Sequence, residues 1–363
     1  MYGFQPSEDQ RTLIEAVHRF AVRELRPHLR ASDDAGALPE STTRSGWELG
    51  LLPASVPEDF GGFGERSAVT GALAAEELGW GSLAGALALM APNLVALPVL
   101  LGGSAQQKQE LLPSFAADAY QPGSAALMEP RYDFDAGALE TRAVRRDGHY
   151  VLTGSKCNVP YAAESRWLTV YASLDGETRA FLVKQGAPGL VIGERERNMG
   201  IKALPLYAVE LRDCMVPANQ RLGGEDRADV SALLDASRVA WAALAVGVGR
   251  ATYEYALDYA RNRKAFGEAI AQRQAIAFML AEMATEIEAA RLLVWEAAWL
   301  LDEGREASRE AYLARNLADD MALMVADRAV QILGGHGYIR DHPVELWLRD
   351  ARAFAVLDGL AIV

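Results

Sequence analysis

Residues 228–263 read ADVSALLDASRVAWAALAVGVGRATYEYALDYARNR, a stretch without proline in which Leu233, Leu234, Val239, Trp241, Leu244 and Val248 recur at helical spacing. The absence of proline continues past it. Of the 15 prolines, 14 lie between Pro6 and Pro217, and none occurs from Ala218 to His342. Proline removes a hydrogen-bond donor and clashes inside a helix, so this last region can carry long uninterrupted helices. A second periodic set, Ile276, Leu280, Met283, Ile287 and Leu292, follows the first. The pattern predicts three long helices, about Ala228–Arg263, Ala271–Glu303 and Ala307–Leu333, and a shorter one from Val344. Long helices joined by short turns fold back on one another as an antiparallel bundle.

Towards the N-terminus the period changes. Between Ser124 and Val216, Leu139–Arg145 and Tyr150–Thr153 flank Asp147-Gly148, while Trp167–Ser173 and Arg179–Val183 flank Asp175-Gly176. Asp-Gly between short β-rich runs is a strong hairpin signal, because both residues tolerate the positive φ of a tight hairpin turn. An antiparallel β domain of about 100 residues is expected here. Ser7 to Ala117 returns to helical spacing and opens on Ser7-Glu8-Asp9-Gln10, a capped helix start. Helices, then strands, then helices make an α+β chain, with domains expected at 1–119, 120–225 and 226–363.

Composition narrows the functional classes. A formal net charge of −13 argues against non-specific nucleic-acid binding, which needs a basic face. Cys157 and Cys214 are the two cysteines, too few for a disulfide framework, so a reducing, cytoplasmic compartment is expected. The five histidines, His18, His28, His149, His336 and His342, lack metal-ligand spacing, and no metal is expected. Met1 to Gln10 shows no secretory pattern. The uncharged run Leu83–Leu101 is long enough to span a bilayer, but Pro92, Asn93 and Pro98 interrupt it. It is read as a pair of buried helices, not as a membrane span.

Gly247-x-Gly249 sits inside a predicted helix, not at a strand-to-helix turn, so it is not a dinucleotide fingerprint. Two later motifs are more ambiguous. Arg263-Lys264-Ala265-Phe266-Gly267 reads either as an ordinary helix C-terminus or as an arginine placed to grip a phosphate beside an aromatic ring. Gln331-Ile332-Leu333-Gly334-Gly335-His336-Gly337-Tyr338 reads either as a helix stop or as a turn whose N–H groups approach a ligand.

Taken together and in order, Arg263-x-x-Phe266-Gly267, Gln274, Gln331-x-x-Gly334-Gly335, Pro343 and Arg349-Asp350-Ala351 resemble the acyl-CoA dehydrogenase family. Leu51-Leu52 with Pro57-Glu58 and Gly61-Gly62, Gly103-x-x-x-Gln107-Lys108 with Leu112-Pro113, and Glu129-Pro130 extend the likeness over nearly the whole chain. The resemblance implies an N-terminal helical domain, a middle antiparallel β-barrel and a C-terminal four-helix bundle, assembled as a homodimer or homotetramer. It implies FAD as cofactor, an acyl-CoA substrate and a place in lipid metabolism, with electron-transfer flavoprotein as acceptor. Arg263 and Phe266 would contact FAD across a subunit interface, Gln274, Gln331, Gly334 and Gly335 would hold the rest of the dinucleotide, and Asp235 and Arg238 would meet the acyl-CoA. The implied chemistry is α,β-dehydrogenation, in which a carboxylate takes the α-proton while hydride leaves to flavin N5.

Several positions depart from the family pattern. Its Glu-Gly-Thr aligns without gaps on Asp358-Gly359-Leu360, so the base would be Asp358, shorter by roughly one carbon–carbon bond, about 1.5 Å. The ordinary reading of Asp358 is a solvated residue in a turn. The alternative family location for a base is occupied by Ser237. Arg131-Tyr132-Asp133-Phe134-Asp135 replaces a glycine-rich loop, Met128 replaces a threonine, and Pro160 stands where a hydroxyl is expected near flavin N5. Backbone groups at Leu127, Met128 and Val159 remain to hold the ring. Three functions follow as alternatives: an active dehydrogenase using Asp358, a degenerate partner chain in a heterotetramer with a second dehydrogenase chain, or a flavin oxidase of a non-thioester substrate.

Overall fold

The computed structural model describes residues 5–224 and 228–363; the domain boundary expected at 225/226 lies outside them. Seven helices come first: α1 (Glu8–Phe20), α2 (Leu29–Ala35), α3 (Glu40–Trp47), α4 (Ala68–Gly81), α5 (Leu83–Met90), α6 (Asn93–Gly102) and α7 (Ala105–Ala116). The capped start at Ser7 is present, its hydroxyl accepting from Gln10 N–H while the Gln10 side chain accepts from Ser7 N–H. The uncharged run forms two buried helices, α5 and α6, bent by 47° between Met90 and Asn93.

The middle region carries β1 (Ser124–Ala126), β2 (Arg142–Arg146), β3 (His149–Pro160), β4 (Trp167–Leu174), β5 (Glu177–Lys184), β6 (Leu190–Arg195) and β7 (Leu206–Pro217). Both Asp-Gly pairs turn hairpins, β2–β3 and β4–β5, with Asp147 and Asp175 at positive φ. The all-antiparallel pairing expected from those hairpins is corrected: the strands form a seven-stranded mixed sheet in the order β1-β4-β2-β3-β7-β6, with β5 also on β4. β1 and β2 both run parallel to β4. Parallel neighbours need a long crossover rather than a tight turn, so no local signal announces them.

The bundle follows as α8 (Val230–Asn262), a small hairpin β8 (Lys264–Ala265) and β9 (Glu268–Ala269), α9 (Gln274–Asp302), α10 (Ser308–Leu333), the single turn α11 (Gly335–Tyr338) and α12 (Val344–Val356). Each long helix lies within a few residues of its sequence-based bounds. α8 is apolar around most of its circumference because it is central: it packs against α4, α9, α10 and α12. By length and composition it could cross a membrane, yet most of it is buried within the fold. Gly247 explains the close contact with α4. A methyl group there would sit 2.1 Å from the Glu76 carbonyl oxygen and 2.8 Å from Trp80 N.

Candidate active site

Three segments distant in sequence meet around Asp358. α12 ends at Val356, and the chain runs extended through Leu357 to Asp358, whose N–H points at the Met128 sulfur, 3.1 Å away. That contact joins the bundle to the end of β1. From α10, Arg315 reaches Asp358 Oδ1 at 3.2 Å, and Gly359 N–H donates to the same oxygen at 2.8 Å. Beside Asp358 lies a small cavity of about 10 Å³, lined by Leu94, Leu127, Tyr171, Leu233, Ser237 and Gly359 among others. Ser237, the alternative base position, donates its hydroxyl to the Ala361 carbonyl at 2.7 Å, so it serves as a tether there. Asp235 is buried and paired internally, to Arg238 at 2.7 Å and to the Ser308 hydroxyl at 2.5 Å.

The loop after β1 is held by an ion pair that the sequence reading passed over. Lys156 Nζ is fully buried and donates to Glu129 Oε1 at 3.0 Å and to the Leu127 carbonyl at 2.9 Å. Burial acts to lower the lysine and brings it down to about 8, although Glu129 opposes this. For Glu129, burial acts upward, but hydrogen bonds from Thr141 and from the Glu140 and Thr141 N–H groups, with the Lys156 charge, hold it down at about 2. Cys157 N–H donates to the Met128 carbonyl at 3.1 Å, so the carbonyls of Leu127 and Met128 are both engaged. Val159 is buried in β3 with Pro160 next to it, between Asn158 and Tyr161, which both have φ of 51°. The β3–β7 register shifts between Lys156 and Val159, as a bulge requires. A signal for Lys156 existed: it shares strand parity with the buried Tyr150 and Leu152, where a lysine needs a partner.

The arginine and glycine motifs form a second, exposed patch. Arg263 follows α8, and Phe266 tips the β8–β9 hairpin at φ 53°, 96% exposed. Among the described residues Arg263 has no ion-pair partner. Gln274 is the first residue of α9, Gln331 lies in the last turn of α10, and both are exposed. An open cleft of about 500 Å³ is lined by Tyr259, Arg263, Gly334, Gly335 and His336, and an adjoining one by Phe266 and Arg273. Nothing lies within 4 Å of where a side chain would project from Gly334 or Gly335. His336 Nδ1 is 2.8 Å from the Tyr259 hydroxyl. An unpaired cation, an open glycine turn and an exposed ring fit a ligand that carries phosphates and an aromatic base, as FAD does.

The two patches are far apart within one chain. Ser237 stands beside the Asp358 loop and Asn262 adjoins Arg263, and the helix between them spans roughly 38 Å at ~1.5 Å per residue. Leu127, Met128, Val159, Asp235, Arg238 and Asp358 cluster at one end. Arg263, Phe266, Gln274, Gln331, Gly334 and Gly335 cluster at the other. Among the described residues no group of three or more His, Cys, Asp or Glu side chains is arranged to hold a metal ion.

Comparison with known proteins agrees along the full length. Residues 7–119, 124–214 and 228–361 match the family descriptions "Acyl-CoA dehydrogenase, N-terminal domain", "middle domain" and "C-terminal domain". A similar relative, a probable acyl-CoA dehydrogenase, YngJ, of Bacillus subtilis, is 36% identical, covering 98% of this chain and 96% of the relative. Butyryl-CoA dehydrogenase from Megasphaera elsdenii superposes with a TM-score of 0.89 at 30% identity, covering 99% of this chain and 96% of the other. The FAD complex of PigA superposes with a TM-score of 0.88 at 25% identity, covering 98% and 95%.

Proposed function

Because this chain belongs to the acyl-CoA dehydrogenase family, we propose that it dehydrogenates an acyl-CoA thioester with Asp358 as the base that removes the α-proton. Its cofactor is FAD, which when bound supplies the acceptor for the β-hydride. The position of Asp358 carries the reading. Its carboxylate sits where α10, the end of α12 and the end of β1 converge, anchored through Oδ1, with Leu127 and Tyr171 lining the adjoining cavity. Burial pushes the Tyr171 hydroxyl far up, and the Asp358 charge adds to it, so this phenol stays protonated and keeps a proton to donate to a substrate. Asp235 and Arg238, one turn apart at the head of α8, are proposed to flank the entering acyl-CoA.

The separation of the two patches along α8 supports a site shared between copies. A dinucleotide held by Arg263, Phe266, Gln274 and the Gln331–Gly335 turn cannot also reach Asp358 of its own chain over roughly 38 Å. A homodimer or homotetramer would therefore join the exposed patch of one chain to the ring side of another. Electron-transfer flavoprotein is proposed as acceptor on family resemblance. Asp358→Asn tests the base. The purified variant is expected to remain yellow yet fail to bleach with any acyl-CoA that bleaches the wild type, and undiminished turnover would remove Asp358 from the mechanism.

A second reading is favoured by one observation: the cavity beside Asp358, about 10 Å³, admits no acyl chain without movement of its walls. In that reading the chain lends its Arg263 patch to a different dehydrogenase chain. Stoichiometric FAD in the chain expressed alone decides against it.

A further inference from the structure

The guanidinium of Arg315 uses four of its five N–H donors. Nε donates to Asp319 Oδ2 at 2.6 Å, Nη1 to Asp358 Oδ1 at 3.2 Å, and Nη2 to the carbonyls of Phe354 at 3.1 Å and Leu357 at 2.8 Å. Phe354 belongs to the last turn of α12, where carbonyls have no partner inside the helix. The guanidinium carbon lies 5.4 Å from the Trp241 ring centre, within cation–π reach. One side chain from α10 thus fixes the end of α12, the extended residue after it and the carboxylate that follows. Among the described residues both hydrogen bonds to the Asp358 carboxylate end on Oδ1, and Oδ2 accepts none.

Asp319 is the other half of the joint. It is mostly buried, and its Oδ1 has no hydrogen-bond partner. Burial pushes its carboxyl up to about 7 against the pull of Arg315, and the charges of Asp358 and Asp320 push the same way. A carboxyl in so unfavourable a place is expected where it holds something else in position, and among the described residues the group it hydrogen-bonds is Arg315.

We propose that Arg315 is the positioning residue for α-proton removal: it pins Asp358 Oδ1 and the last turn of α12, leaving Oδ2 to take the proton, while Asp319 fixes the angle of the guanidinium. The inference rests on Asp358 being the base. Aspartate is shorter than glutamate, so its reach depends on where the backbone places it, and Arg315 holds that backbone directly through the Leu357 carbonyl. As the αC–H bond breaks, its proton passes to Oδ2 and its electron pair, drawn towards the thioester carbonyl as enolate character develops, closes the Cα=Cβ double bond while the βC–H bond breaks. The β-hydrogen departs as hydride, one proton with two electrons, for which FAD when bound would be the acceptor, and one proton remains on Asp358.

Arg315→Met, Arg315→Lys and Asp358→Asn holoproteins separate the possibilities. The substrate is whichever member of a panel of saturated acyl-CoA thioesters, butyryl-CoA to octanoyl-CoA, bleaches the wild-type flavin. Arg315→Met is expected to lose about 100-fold in kcat, as for a misplacement of ~1 Å, with KM within about threefold. FAD stoichiometry by visible spectrum should be unchanged, and the isotope effect of an αC-deuterated substrate should rise. Arg315→Lys keeps the charge and one contact, so it should recover about tenfold of that loss; if the methionine variant fails to fold, the lysine variant alone carries the comparison. Wild-type kcat and isotope effect in either folded, FAD-loaded Arg315 variant, with Asp358→Asn inactive, overturns the positioning role and leaves the base intact. Full turnover by Asp358→Asn overturns both.

Discussion

Asp350 should make this protein less stable as pH rises through the weakly acidic range. It lies on α12, is 3% exposed, and accepts the Ile201 N–H at 2.6 Å, tying the loop before β7 to the helix that leads to Asp358. Burial raises its carboxyl from 3.8 to about 7, against the Ile201 hydrogen bond and the Arg349 charge, with Asp33 and Glu345 adding to the rise. The unfolded carboxyl ionises near 3.8 and the native one near 7, so the contribution is fully present below pH 3.8 and falls as pH climbs between those values. About three pKa units at ~1.4 kcal/mol each make a loss of about 4 kcal/mol, complete above pH 7. Asp350→Asn keeps an oxygen for Ile201 and removes the ionisation. Its amide hydrogens cost about 1–3 kcal/mol if unpaired, so the variant should be equal or weaker at pH 4 and stronger by about 1–3 kcal/mol at pH 8. Chemical denaturation of both proteins from pH 4 to 8 measures the difference. Asp319, also raised to about 7, titrates alike in both and cancels. Parallel stability curves across that range would refute the reasoning.

Lys156→Met leaves Glu129 buried with its backbone donors and Arg131 alone, and should cost about 3 kcal/mol in denaturation, with faster FAD loss on dilution. Arg263→Gln should weaken FAD binding about 10- to 100-fold, read by fluorescence of released flavin, with the melting temperature of the flavin-free protein unchanged. Gly247→Ala forces a methyl group against the backbone of α4 and should destabilise by about 3 kcal/mol or more by denaturant titration. A fully folded, wild-type-stable alanine variant would mean that α4 and α8 do not approach as described.

The bundle was readable because its information is local. Proline exclusion and the 3.6-residue period set α8, α9 and α10 to within a few residues, and the two Asp-Gly turns fixed both hairpins. The parallel pairing of β1 with β4 was not readable, since it joins Ser124 to Leu168 across an intervening hairpin. The same distinction holds at the site. Arg263, Phe266, Gln331, Gly334 and Gly335 stand in contiguous motifs, and the structure gathers them into one patch. Lys156 and Arg315 carry no motif. Their partners lie 27 and 43 positions away in the chain, and although strand parity hints that Lys156 is buried, only packing reveals which carboxylate each one meets. Asp358 is intermediate, placed by alignment but given its surroundings by α10.

Lys156, Arg315 and Asp350 share one geometric property: each ties a loop to an element from another part of the chain. Lys156 holds the Leu127–Glu129 loop to β3, Arg315 holds the end of α12 to α10, and Asp350 holds the Ile201 loop to α12. Burying an ion pair is seldom the most stabilising use of a core position, because desolvation offsets most of the attraction. An apolar contact in any of these places would give comparable stability while leaving the loop free to slide over its neighbour, since dispersion and burial are non-directional. A charge-assisted hydrogen bond with fixed donor geometry does not permit that slide. The first two links hold Asp358 and the loop after β1, the third holds the helix that leads to Asp358, and at the exposed Arg263 patch the arginine has no ion-pair partner among the described residues. On the proposed reading, rigid anchoring around Asp358 would hold the reactive end within a fraction of an ångström, while an open arginine at the other end would leave a phosphate-bearing ligand free to bind.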